Sequence, residues 1–96
     1  MKTIENIECN FKGQPLLDET AKPLTTKGII RAILENSAYQ NSADIIKAAR
    51  ILSKVEADSI ISLDDADYEF VKQWASIYPP LVNKGLMFLD FFNQLT

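Results

Sequence analysis

The spacing of hydrophobic positions changes along the chain, and the changes mark its elements. Over residues 3–12 apolar and polar residues alternate, with Ile7, Cys9 and Phe11 on one face and Glu8, Asn10 and Lys12 on the other. A period of two predicts a half-buried strand. Gly13 and Gln14 predict a two-residue turn, with glycine supplying a positive φ at the first central position. Pro15, Leu16 and Leu17 return as a short second strand, placed at an edge because proline cannot donate to a ladder. Residues 18–22 read as a polar loop. A lone hairpin is marginal in water, so this one is expected to pack on the helical remainder of the chain.

From Thr25 onward the period lengthens. Ile29, Ile30, Ile33 and Leu34 form a helical stripe, capped by Thr25 or Thr26 and ending near Asn36. A polar loop over 36–42 carries one aromatic, Tyr39. A second helix runs from a cap at Asn41 or Ser42 to about Ala57. Ile45, Ala48, Ala49, Leu52 and Val55 line its expected inner face, widened by Ile46 and Ile51, while Lys47, Arg50 and Lys54 form a basic stripe. Ser59, Ile60 and Ile61 read as a short connector, extended at best. Ser62 followed by Asp65 suggests a capping box opening a third helix, along which Leu63, Ala66, Phe70, Trp74 and Tyr78 recur. Pro79 and Pro80 end it, and a fourth helix is expected from Pro80 or Leu81 to Leu95. The expected fold is α+β and mostly helical. It is one domain over 1–96, with a β-hairpin region (3–24) packed on a bundle of about four helices (25–96).

Composition narrows the chemistry. The chain has no histidine, a single cysteine (Cys9), and three scattered glycines, Gly13, Gly28 and Gly85. The commonest general base at neutral pH is therefore missing. A cysteine–histidine nucleophile and a cysteine-based zinc site are ruled out. No catalytic residue, cofactor site or metal site is expected, and binding is favoured over chemistry. The net charge of −3 lacks the positive footprint of a nucleic-acid binder. No apolar run is long enough to span a bilayer. With one cysteine and no secretory signal pattern, a reducing cytoplasm is the expected setting.

Three features are candidates for a binding surface. Residues 56–70 hold Glu56, Asp58, Asp64, Asp65, Asp67 and Glu69 with no basic residue. First-turn acids stabilise a helix by about 0.3–1 kcal/mol each, which competes with a partner-binding role for Asp64, Asp65 and Asp67. Tyr39, in its polar loop, is a second candidate contact, weighed against folding back onto the core. The last helix is apolar on nearly every side, and Met87 and Phe91 extend its apolar surface away from Leu81, Leu86, Phe88 and Phe92. Either the hairpin covers that second side, or Met87 and Phe91 wait for a partner.

Several stretches resemble one pattern. Phe11 to Leu34 combines a strand, a glycine turn, an acidic loop, Lys22-Pro23-Leu24-Thr25 and an apolar helix. Ile61 to Lys72 contains a Leu-Ser-x-x-Asp-like helix opening, and Ser76 to Val82 a Tyr-Pro-Pro break. Together they resemble small, largely uncharacterised proteins encoded by tailed phages and prophages. One departure lies in the 18–22 loop, where those proteins often carry glycine before the lysine. The resemblance implies a phage setting in a bacterial cytoplasm and supplies no active site. The leading expectation is a non-enzymatic protein-binding module, with inhibition of a host or defence protein as one form its action could take. The alternatives are a self-associating structural or assembly factor, forming homo-oligomers through its last helix, and a nucleic-acid accessory protein using Lys47, Arg50 and Lys54.

Overall fold

The computed structural model describes residues 2–18, 20–57 and 60–95. Glu19 of the polar loop, Asp58 of the acidic run and Ser59 of the connector lie outside the described residues. The fold is α+β and mostly helical. In chain order the elements are β1 (Lys2–Glu5), β2 (Asn10–Phe11), β3 (Gln14–Pro15), α1 (Thr26–Asn36), α2 (Ser42–Ala57), β4 (Ile60–Leu63), α3 (Asp65–Ile77), α4 (Pro79–Val82), a 3-10 turn (Gly85–Phe88) and α5 (Leu89–Asn93).

The N-terminal alternation is divided between two small sheets. β1 pairs antiparallel with β4, Ile4 opposite Ile61 and Lys2 opposite Leu63. The connector after α2 is therefore a strand, and its Ile61 and Leu63 join Ile4 in the core. Residues 6–9 leave β1 and run beside the start of α1. There the buried Thr26 amide donates to Ile7 O (2.9 Å), and the Cys9 amide donates to Leu24 O (2.8 Å). β2 and β3 form the hairpin, with Asn10 opposite Pro15 and Phe11 opposite Gln14. Its turn sits one residue earlier than expected. Lys12 (φ 53°) and Gly13 (φ 77°) are both left-handed, as a type I′ turn requires.

Ala21 is the other non-glycine residue with positive φ, at 62°. Asp18 holds the loop in shape: its carboxylate accepts from the Thr20 amide (2.8 Å), the Thr20 hydroxyl (2.7 Å) and the Lys22 amide (3.0 Å). The Thr20 hydroxyl and then the Lys22 amide keep that carboxyl below its ordinary range. A left-handed alanine carries a strain of roughly 1–2 kcal/mol that glycine avoids, partly offset by the larger entropy glycine loses on folding. Ala21→Gly is therefore expected to stabilise the protein by about 0.5 kcal/mol, read as a higher urea midpoint at unchanged slope.

The helices follow from their caps and stripes. Thr25 Oγ1 accepts from the Gly28 amide (3.2 Å) to open α1, and Asn41 Oδ1 accepts from the Asp44 amide (2.9 Å) to open α2. Asp64, rather than Ser62, caps α3, accepting from the Asp67 amide at 2.7 Å; Ser62 is committed to β4. On α2 the inner face is Ala48, Ile51 and Val55, whereas Ile45 and Ile46 are exposed. At about 100° per residue, Ile45 falls at the edge of that stripe and Ile46 on the far side. Each fully buried aliphatic side chain contributes roughly 1.5–3 kcal/mol, and α1 supplies four buried residues to one core: Ile29, Ile30, Ile33 and Leu34.

The expected fourth helix is broken at Asn83 and Lys84 into α4, the 3-10 turn and α5. On one continuous helix Leu81 and Phe91 would diverge by roughly 80°. The break brings both inward, together with Leu95. The 3-10 turn packs against β2 of the hairpin.

Candidate functional site

The residues singled out from the sequence do not share one surface. Phe91 is fully buried, so it offers no contact to a partner, and Met87 is half-buried in the 3-10 turn. Asp64 is exposed and engaged as the cap of α3. Asp65 is exposed on the first turn of α3. Asp67 is completely buried, which removes it from any free acidic surface. Its carboxylate accepts from Lys54 Nζ at 2.8 Å and from Arg50 Nη2 at 3.4 Å. Burial alone would push the Asp67 carboxyl up; the Lys54 hydrogen bond and charge, with Arg50 behind them, outweigh it and hold the carboxyl below its ordinary value.

That arrangement also accounts for the basic stripe of α2. Arg50 and Lys54 meet Asp67, while Lys47 Nζ stands 5.2 Å from the centre of the Phe70 ring. All three cations are engaged with α3, although Arg50 and Lys54 keep much of their side chains exposed. Among the described residues, no set of His, Cys, Asp or Glu side chains comes together to hold a metal ion. No helix among them is long and apolar enough to cross a membrane.

Tyr39 folds back. Its hydroxyl donates to Leu34 O (2.8 Å), its ring stacks on Phe70 (6.2 Å between centroids, 13° between planes), and it meets Trp74 edge-on at 4.8 Å. Burial raises its phenol above the ordinary value. Tyr39 is thus half-buried against the core rather than an open contact, and its position matters for what it supports. Phe70, Trp74 and Tyr39 form one aromatic cluster, each ring within 6.2 Å of the next. Such pairs add about 0.5–1.5 kcal/mol beyond the area they bury and hold ring orientations.

Over this cluster lies a cleft of about 700 Å³ between the α1–α2 loop and the C-terminal half of α3. Its apolar wall is Trp74, Ile77, Tyr78 and Pro79. Its polar rim carries the carboxamides of Asn36, Gln40, Asn41 and Gln73, with Asp44 at the start of α2. The local sequence makes the cleft. Asn36 Nδ2 donates to Ala32 O (2.8 Å) and the Ser37 amide to Ile33 O (3.1 Å), closing α1 and turning the chain outward. Pro79 then stops α3 one turn beyond Trp74, so the helix end stands open beside the loop. Ile77, 57% exposed, sits at that mouth. An apolar wall with a few convergent polar groups is the usual make-up of a ligand cleft.

Sequence reasoning placed Trp74 and Tyr78 in the core stripe; they are half-buried and do both jobs, packing on the core and walling the cleft. It missed Ile77 and the carboxamides. The available signal was the crowding of Asn36, Gln40 and Asn41 into one loop, together with an isoleucine off the inner stripe shortly before two prolines. Comparison with known proteins gives no matching family model, no matching curated protein and no matching solved structure.

Proposed function

We propose that this chain is a small protein-binding module, without enzymatic activity, that captures a peptide segment of a partner in the cleft over Trp74. The carrying observation is the pairing of an exposed aliphatic-aromatic wall with a rim of carboxamides. The wall suits an apolar side chain. Asn and Gln side chains present both donor and acceptor, matching the amides of an extended backbone. The resemblance to small phage and prophage proteins supports a bacterial cytoplasmic setting, where occupying a site on a host or defence protein would inhibit it. A chain without histidine suits action by occupancy better than general-base chemistry.

The test compares the wild type with Ile77→Asp as bait in nuclease-treated bacterial lysate. Ile77 is exposed, so the fold is expected to survive, and a charge on the apolar wall should reduce partner capture at least tenfold. A protein retained equally by both baits would move the binding surface off this cleft.

One observation favours self-association as a second reading. Val82, Leu86 and Leu89 are exposed along the C-terminal segment, Leu86 to 78%. The binding-module reading expects a monomer in sedimentation across a wide concentration range. A rise in mass with concentration that Leu86→Glu abolishes would favour the assembly factor instead.

A further inference from the structure

We infer that the segment captured by the cleft carries an arginine or lysine beside its apolar anchor; this rests on the peptide-binding reading of the same site. The argument is charge. Among the described residues, the cleft lining holds one ionised side chain, Asp44. The nearest cation along α2, Lys47, is turned onto the Phe70 ring and is not among the lining residues. Asn41 Nδ2 donates to Asp44 Oδ2 at 3.4 Å, while Asn41 Oδ1 accepts from the Asp44 backbone amide. Trp74, braced edge-on by Tyr39, lines the same cleft. Indole is the best neutral partner for a cation, and guanidinium also stacks on it. A carboxylate and an indole lining one cleft, with no cation among the described lining residues, favour a basic side chain and disfavour phosphate or an acidic peptide. The protein's net charge of −3 acts in the same direction at longer range.

The chain contains a single tryptophan, Trp74, so its fluorescence reports occupancy of this cleft directly. The full-length protein is titrated with two blocked tripeptides, acetyl-Leu-Arg-Leu-amide and acetyl-Leu-Glu-Leu-amide. The arginine peptide is expected to shift the emission at about fivefold to tenfold lower concentration than the glutamate peptide. Asp44→Asn, with its fold checked by circular dichroism, should erase most of that difference. Equal responses to the two peptides would overturn the basic preference while leaving peptide capture standing. A preference that survives Asp44→Asn would overturn the role given to Asp44. Silence from Trp74 with both peptides at millimolar concentration would overturn the cleft as a peptide site, and this inference with it.

Discussion

Phe91→Ala is expected to lower the stability of the folded protein by about 3–5 kcal/mol, the range for emptying a fully buried phenylalanine site. Phe91 is completely buried, meets Phe92 edge-on at 5.6 Å between centroids, and shares the core with Leu81 and Leu95. Among the described residues it is the largest fully buried side chain. Small domains hold only about 5–15 kcal/mol in total, so the variant should lose roughly a fifth of its stability or more, seen as a much lower urea midpoint. Leu89, four residues beyond Gly85 on the same segment and 52% exposed, provides the control. Leu89→Ala is expected to cost under about 1 kcal/mol. A Phe91→Ala midpoint matching that of Leu89→Ala would mean that the C-terminal segment is not docked through Phe91. The same burial decides how Phe91 can be used experimentally: a polar substitution there tests folding, and it says nothing about a partner.

The contrast between Phe91 and Leu89 shows where the sequence was legible. Periodicity identified α1, α2 and α3 because each has an apolar stripe bounded by a cap or by prolines, and these are local signals. It could not place the last segment, because a stretch apolar on every side has no preferred face until something packs on it. The face was chosen by the break at Asn83 and Lys84 and by the hairpin lying against the 3-10 turn. Similarly, residues 59–61 looked like a connector and Ser62 and Leu63 like the start of the third helix, because so short a stretch carries little periodic information. The partner of residues 60–63, β1, lies more than fifty residues earlier, and only that long-range pairing makes them a strand.

The cleft was legible only in part, for the same reason. Trp74 and Tyr78 were visible as members of a stripe, but a stripe does not say where a helix ends relative to a neighbouring loop. Asp44, Gln40 and Gln73 acquire a common role only when α1, α2 and α3 are assembled. The acidic run misled in the opposite direction. Asp64 is a cap and Asp67 is an internal anchor, so two of the acids that suggested a recognition surface are committed to holding α3 in place. The sequence sets acids downstream of the basic stripe as possible ion-pair partners, but only the assembled helices single out Asp67, seventeen residues from Arg50 and thirteen from Lys54, as the one they meet.

That anchor gives the second large effect: Lys54→Met is expected to destabilise the protein by about 2–3 kcal/mol near neutral pH. Methionine keeps most of the stem's packing, so the loss isolates the charge. Asp67 would remain buried with only the longer Arg50 contact, at 3.4 Å, to balance it. Removing one partner of a buried pair usually costs about 3–5 kcal/mol; the smaller figure reflects the 42% exposure of Lys54 and the cation that stays. The sign of the pH dependence comes from linkage. In the wild type the folded carboxyl lies below its ordinary value of about 3.9, so the pair's contribution is complete above that value and is lost as pH falls through the folded one. In Lys54→Met burial is less opposed and the folded carboxyl rises, so protonation relieves the variant at a pH where the wild type is still charged. The stability gap between the two should therefore narrow as pH falls toward ~4. Asp67→Asn added to Lys54→Met should recover part of the loss, because a neutral amide is cheaper to bury than an under-paired carboxylate. Urea midpoints for the four members of this cycle, near neutral pH and near ~4, separate the alternatives: a gap that is constant with pH and unrelieved by Asp67→Asn would assign the effect of Lys54 to the packing of its stem, and α2 and α3 would then be joined by contact rather than by charge.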